Sequence, residues 1–184
     1  MLRHQLEHLI RAAGRITDRY EFIVVGSQSI LGSVDRPPLA CLLSNEADIY
    51  PMGAEELSDK IDGAIGEGSQ FHGTYGYYAQ GVDSSTATLP KGWESRLVRL
   101  QTQATDGRVA YCLDVVDLFM SKCAADRPKD REFNLVLLRA GLVDTSQALQ
   151  LIHDMPIQTG ARQRMAAFIQ RLVSQAKLAG PLAD

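Results

Sequence analysis

Glu21-Phe-Ile-Val-Val-Gly-Ser-Gln-Ser-Ile-Leu31 changes its hydrophobic habit at Gly26. Residues 21 to 25 form a short, apolar, β-branched run, which predicts a buried strand. From Ser27 the chain restarts in helical fashion, and Arg36-Pro37-Pro38 stops that helix early, because proline brings no amide and restricts the residue before it. A strand that runs through Gly-Ser into a helix directs free N–H groups and a hydroxyl at one point. Such a helix start favours anions, phosphate above all. Glycine suits a backbone that must approach a ligand closely. Taken alone the junction is a common one, and it matches neither GxGxxG nor a P-loop.

Outward from this stretch the pattern alternates between the two regular structures. Leu2, Leu6, Leu9, Ile10 and Ala13 share one stripe, so residues 2 to 17 read as an amphipathic helix. Residues 45 to 50, ahead of Pro51, fit a second strand, and Leu57, Ile61 and Ile65 mark a helix over 54 to 65. His72 to Gly81 is rich in tyrosine and glycine and reads as a strand. Two more strands are expected at Arg96 to Gln101 and Arg108 to Leu113, joined by the Thr105-Asp106-Gly107 turn.

After Asp114 the pattern is helical throughout. Val115, Leu118, Phe119 and Cys123 form one apolar face, which Arg127-Pro128 interrupts. Leu135, Leu138 and Leu142 mark the next helix, and two more are expected near 145–153 and 160–179. The fold class is α+β, with a mixed, mostly non-parallel sheet flanked by helices and a helical C-terminal region. The expected division is an α+β core over 1–114 and a helical region over 115–184 packed on it.

The bulk properties narrow the class of protein. A chain of 184 residues suits one domain or one with a helical appendage, and 45% hydrophobic with 22% charged residues argues against disorder. A formal charge of -3 makes no general electrostatic case for nucleic acid, although a local basic patch remains open. Cys41, Cys112 and Cys123 are odd in number and irregularly spaced, so neither a disulfide framework nor a zinc knuckle is expected, and a reducing cytoplasm suits them. The first residues mix charge with apolar positions and do not read as a signal peptide. No run of about 18 apolar residues predicts a membrane span.

Glu46 and Asp48 lie two apart on the second expected strand and therefore project from one face. Two carboxylates this close repel unless a cation lies between them. Hard oxygen ligands on a rigid strand suit Mg²⁺, which takes its other ligands from water and substrate phosphates. Taken alone, the pair reads first as the solvated face of an edge strand.

The glycine turn and the acidic strand together resemble the nucleotidyltransferase superfamily pattern. The chain is similar, more closely, to a family of small bacterial nucleotidyltransferases related to abortive-infection toxins. The similarity is carried by Val24-Val-Gly-Ser-Gln-Ser-Ile-Leu-Gly32, Ser44-Asn-Glu-Ala-Asp-Ile-Tyr-Pro51 and Leu89-Pro-Lys-Gly-Trp93 with Arg96. A later block, Asp117-Leu-Phe-Met-Ser-Lys122 with Arg127-Pro-Lys-Asp-Arg-Glu-Phe133, completes it, over roughly residues 20 to 142.

The resemblance implies transfer of a nucleoside monophosphate from a nucleoside triphosphate to an acceptor, which is tRNA, a protein or a small molecule. It also implies a bacterial, cytoplasmic setting and a toxin–antitoxin or phage-defence role with an antitoxin partner. Glu46 and Asp48 would hold Mg²⁺, with Asp83 as candidate third carboxylate, and Gly26 and Ser27 would bind phosphates. Lys122 and Asp130 are carried over as catalytic, with Lys122, Arg127 and Lys129 also toward the nucleotide. The chain departs from the family at position 46, where Asp is usual, and in a longer spacer after Ser27. A catalytically silent protein of the same fold that binds nucleotide or a protein partner is the alternative. The basic block equally reads as a capped turn between helices, with Pro128 at the first helical position.

The remaining candidates read as structure. His4 and His8 are spaced i,i+4 without a visible third metal ligand. Tyr75 and Tyr77 are expected to share a face of the sheet, and Trp93 to act as a packing anchor.

Overall fold

Short apolar runs build a five-stranded sheet in the computed structural model, which describes residues 1–181. The chain divides into two units, one of residues 1–87 with 97–113 and one of residues 88–96 with 114–184. The last three residues of the expected helical region, 182–184, lie outside the described residues.

In the first unit α1 spans Arg3–Thr17 and β1 Glu21–Val25. A 3₁₀ turn at Ser27–Ser29 leads into the four-residue helix α2, Ile30–Ser33. Next come β2 at Glu46–Pro51, α3 at Ser58–Ile65 and α4 at Gln70–Tyr75. Strands β3 at Tyr78–Gly81, β4 at Val98–Leu100 and β5 at Val109–Cys112 complete it. The spatial order is β3-β2-β1-β5-β4. Pairing is antiparallel for β1 with β2 and β4 with β5, and parallel for β1 with β5 and β2 with β3. The sheet is thus evenly mixed rather than mostly non-parallel. The parallel β2–β3 pair is reached through α3 and α4, the long crossover that parallel strands require.

One face of the sheet carries Phe22, Val24, Ala47, Ile49, Ala79, Ala110 and Cys112, each inaccessible to solvent. Helices α1 and α3 pack on each other, α3 on β3 and α2 on β5, which closes the core around Leu6, Leu9, Ile10, Ile30 and Ile61. Gly81 permits the close approach of α3, since a Cβ there would stand 2.0 Å from the Ser58 carbonyl oxygen. The opposite face presents Glu46 and Asp48.

The tyrosine-rich segment corrects the sequence reading. Only residues 78–81 are strand, and 70–75 form a helix. Ser69 Oγ caps it by accepting from the His72 amide, and Gly76, at φ 75°, ends it in the left-handed conformation. Tyr75 therefore closes a helix and Tyr77 precedes the strand, so they do not share a sheet face. They pack with Phe71 and His8 instead, and His8 Nδ1 lies 2.7 Å from the Tyr77 hydroxyl.

The second unit contains α5, Val115–Ala125; α6, Pro128–Arg139; α7, Thr145–Leu151; and α8, Thr159–Ala179. Asp114 caps α5 through the Val116 amide, and Asp144 caps α7 through the amides of Ser146 and Gln147. Arg96, in the turn Trp93–Arg96 of this unit, grips buried Asp117 of α5 with two parallel 2.8 Å hydrogen bonds. Among the described residues no helix is long and apolar enough to cross a membrane.

Candidate active site

The two motifs of the first unit meet at the end of β1. In the β1–β2 ladder Asp48 stands opposite Val25, one residue before Gly26. Gly26 has φ 66° and ψ -166°, a region that essentially only glycine enters. A Cβ at Gly26 would lie 1.9 Å from Asp48 Oδ2, so the carboxylate occupies the space a side chain would need. The turn that follows is pinned by Ser29, whose Oγ donates to the Gly26 carbonyl at 2.9 Å. Ser27 opens this turn and is half-buried.

Glu46 projects from the same face as Asp48, two residues earlier on β2. The parallel register sets it beside Tyr78, whose hydroxyl donates to Glu46 Oε2 at 3.1 Å. Burial and then the neighbouring Glu46 push the Tyr78 phenol up to about 12, so the hydroxyl remains a donor at neutral pH. His72 packs on the Tyr78 ring with centroids 4.6 Å apart, and its own Nδ1 accepts from the Gly68 amide. Tyr78 is the site residue that sequence reasoning missed as a partner of Glu46. An aromatic on a strand is a generic signal, and only the β2–β3 register tells which residue it faces.

Asp83 does not join the pair. It lies two residues beyond the end of β3, whose last paired residue, Gly81, stands beside Ile49. There it caps a 3₁₀ turn, accepting from the Ser85 hydroxyl and from the Ser85 amide at 2.8 Å, and these two bonds hold its carboxyl below the usual range. The asparagine-like preference of Asp for such turns wins over the strand position that the sequence suggested. Among the described residues no group of three or more His, Cys, Asp or Glu is gathered as a metal cluster.

In the second unit the basic block converges on Asp130. α5 ends with Asp126 in the left-handed conformation, Arg127 is the cap residue of α6, and Pro128 opens that helix. Lys122 Nζ donates to Asp130 Oδ1 at 3.1 Å, and Arg127 Nε donates to Oδ2 at 2.5 Å. Asp130 is inaccessible to solvent and the Lys122 side chain is 7% exposed. The Lys122 ammonium also lies 4.3 Å from the centre of the Phe133 ring. Burial lowers the Lys122 pKa, against the raising effect of Asp130. Burial acts to raise Asp130, but the bonds from Arg127 and Lys122 outweigh it and hold the carboxyl below its ordinary value. Lys129 is exposed and forms no ion pair among the described residues. The block is thus the joint between α5 and α6, with Pro128 at the first helical position and Asp130 buried at its centre by the bonds from Lys122 and Arg127. A cleft of about 980 Å³ between α6 and α8 is lined by Asp126 and Pro128 of this block but not by Lys122, Arg127, Lys129 or Asp130.

Chemically, the first unit offers two hard carboxylates next to a turn whose backbone is laid bare by glycine. Glu46 and Asp48 suit a divalent cation that completes its shell with water and phosphate oxygens. No curated protein and no solved structure matches the chain. A family model described as a nucleotidyltransferase of unknown function (DUF6036) matches residues 4–155, from α1 past α7, and so takes in both the acidic strand and the basic block. The chain thus belongs to that family of nucleotidyltransferases.

Proposed function

We propose that this protein is a Mg²⁺-dependent nucleotidyltransferase that moves a nucleoside monophosphate from a nucleoside triphosphate to an acceptor hydroxyl. The observation that carries the reading is the Asp48 carboxylate set against the bare backbone of Gly26, with Glu46 beside it on the same face. In the reaction the acceptor hydroxyl gives up its proton to solvent as its oxygen bonds to the α-phosphorus, and pyrophosphate leaves with the electrons of the broken P–O bond. Bound Mg²⁺ would offset charge on the phosphate oxygens as that bond breaks. Glu46 and Asp48 hold the cation, and the Gly26–Ser27 backbone and the Ser27 hydroxyl receive phosphate oxygens. The second unit carries Lys122, Arg127, Lys129 and Asp130 as its own candidates for contact with an anion, and within it Asp130 holds the Lys122 ammonium in place.

The order of the sequence blocks supports a toxin-like role in a bacterial, cytoplasmic toxin–antitoxin or phage-defence pair, with tRNA or a protein as acceptor and an antitoxin as partner. The placement of Asp83 away from Glu46 and Asp48 favours a second reading, a catalytically silent member of the fold that binds nucleotide. One experiment separates them. The protein is incubated with Mg²⁺ and each α-labelled nucleoside triphosphate, with bulk tRNA or cell protein as acceptor. The enzyme reading expects label on an acceptor, lost with Asp48→Ala. Nucleotide binding without label transfer supports the silent reading, and binding that survives Asp48→Ala and needs no metal overturns the site assignment.

A further inference from the structure

We propose that Tyr78 is a positioning residue, which holds the Glu46 carboxylate in the orientation that receives a divalent cation. The inference rests on the reading of Glu46 and Asp48 as the metal pair.

Glutamate has one more rotatable bond than aspartate, so its carboxylate samples more orientations and loses more entropy when a ligand fixes it. The chain carries Glu at position 46, and here a partner removes that freedom in advance. The Tyr78 hydroxyl donates to Oε2 at 3.1 Å, leaving Oε1 and a lone pair of Oε2 available. Tyr78 is itself restrained. Its backbone is in register with Glu46 in the β2–β3 ladder, and its ring packs on His72 at 4.6 Å with a 47° tilt. His72 is held in turn by the Gly68 amide, 3.1 Å from Nδ1. The order from Gly68 through His72 and Tyr78 to Glu46 is the outer-shell support that a ligating carboxylate needs, and loss of such a partner typically costs about 10–100-fold in metal affinity.

The length of the side chain supplies the test. Aspartate at 46 would withdraw the carboxylate by about 1.5 Å, one C–C bond, beyond hydrogen-bond reach of the Tyr78 hydroxyl. The benefit of Tyr78 must vanish in that background. Mn²⁺ alone is titrated into the full chain and followed by water-proton relaxation enhancement, for wild type, Tyr78→Phe, Glu46→Asp and the double variant. Melting curves are recorded for each. Tyr78→Phe is expected to weaken Mn²⁺ binding about ten-fold, with a melting temperature close to wild type. In the Glu46→Asp background the same change is expected to leave affinity unaltered. Wild-type affinity in Tyr78→Phe, or an equal loss in both backgrounds, overturns the positioning role while leaving the metal pair standing. A wild-type chain that binds no Mn²⁺ overturns the metal pair and this inference together.

Discussion

Gly26→Ala tests the junction on which the site depends, and the structure sets the size of its effect. Two independent penalties apply. At φ 66° and ψ -166° an alanine occupies a region reserved for glycine, which costs about 1–3 kcal/mol. Its Cβ would also fall 1.9 Å from Asp48 Oδ2 and 3.0 Å from Cγ. The carboxylate must move by more than 1 Å to reach van der Waals contact, an overpacking cost of about 1–3 kcal/mol. Together the loss is about 4 kcal/mol, a fall of about 10 °C in melting temperature for a chain of this length. Truncating Asp48 removes the second penalty alone, because its Cβ stands 3.5 Å from the new methyl, an ordinary contact. Gly26→Ala is therefore expected to cost only about 2 kcal/mol when introduced into Asp48→Ala. The assay is urea unfolding of wild type, both single variants and the double variant, read as a double-mutant cycle. An equal cost of Gly26→Ala in the two backgrounds refutes the claim that the glycine exists to admit the carboxylate.

Two further perturbations address the roles of Asp83 and Asp130. Asp83→Ala is expected to leave Mn²⁺ affinity at the wild-type value, since Asp83 caps its own turn beyond the end of β3; a loss of about ten-fold in the same titration would return it to the metal site. Asp130→Asn leaves Lys122 buried without its anion, so neutral-pH stability is expected to fall by about 3–5 kcal/mol. The sign with pH follows from linkage. The folded Asp130 titrates below its ordinary value of 3.8, so its contribution is present above that pH and is lost as pH falls through the lower folded value. The wild-type and Asp130→Asn urea midpoints should converge on acidification below about pH 4, and a gap independent of pH would count against the ion pair.

Much of the local structure was legible because short-range chemistry decides it. The apolar stripe of α1, the β-branched run of β1 and the proline at the start of α6 each specify their element without help from distant residues. The segment 70–81 misled for the same reason. Its tyrosines carry strand propensity, yet the Ser69 cap, the Gly76 stop and packing against His8 make its first half helical. Propensity summed over a segment does not weigh a tertiary contact made by a residue on α1.

The sequence by itself determined that a glycine turn and two carboxylates exist, and that the carboxylates share a face, since a strand has period two. It also determined that Lys122 and Asp130 lie on consecutive helices joined at a capped turn. Only the tertiary structure decided what each of these groups faces. The antiparallel register of β1 with β2 brings Asp48 against Gly26, and the parallel register of β2 with β3 brings Tyr78 to Glu46. That ladder ends at Gly81 beside Ile49, and Asp83 caps the turn that follows. Register is settled by how the apolar face of the sheet is buried, and a slip of one residue in β2 would turn Glu46 and Asp48 inward.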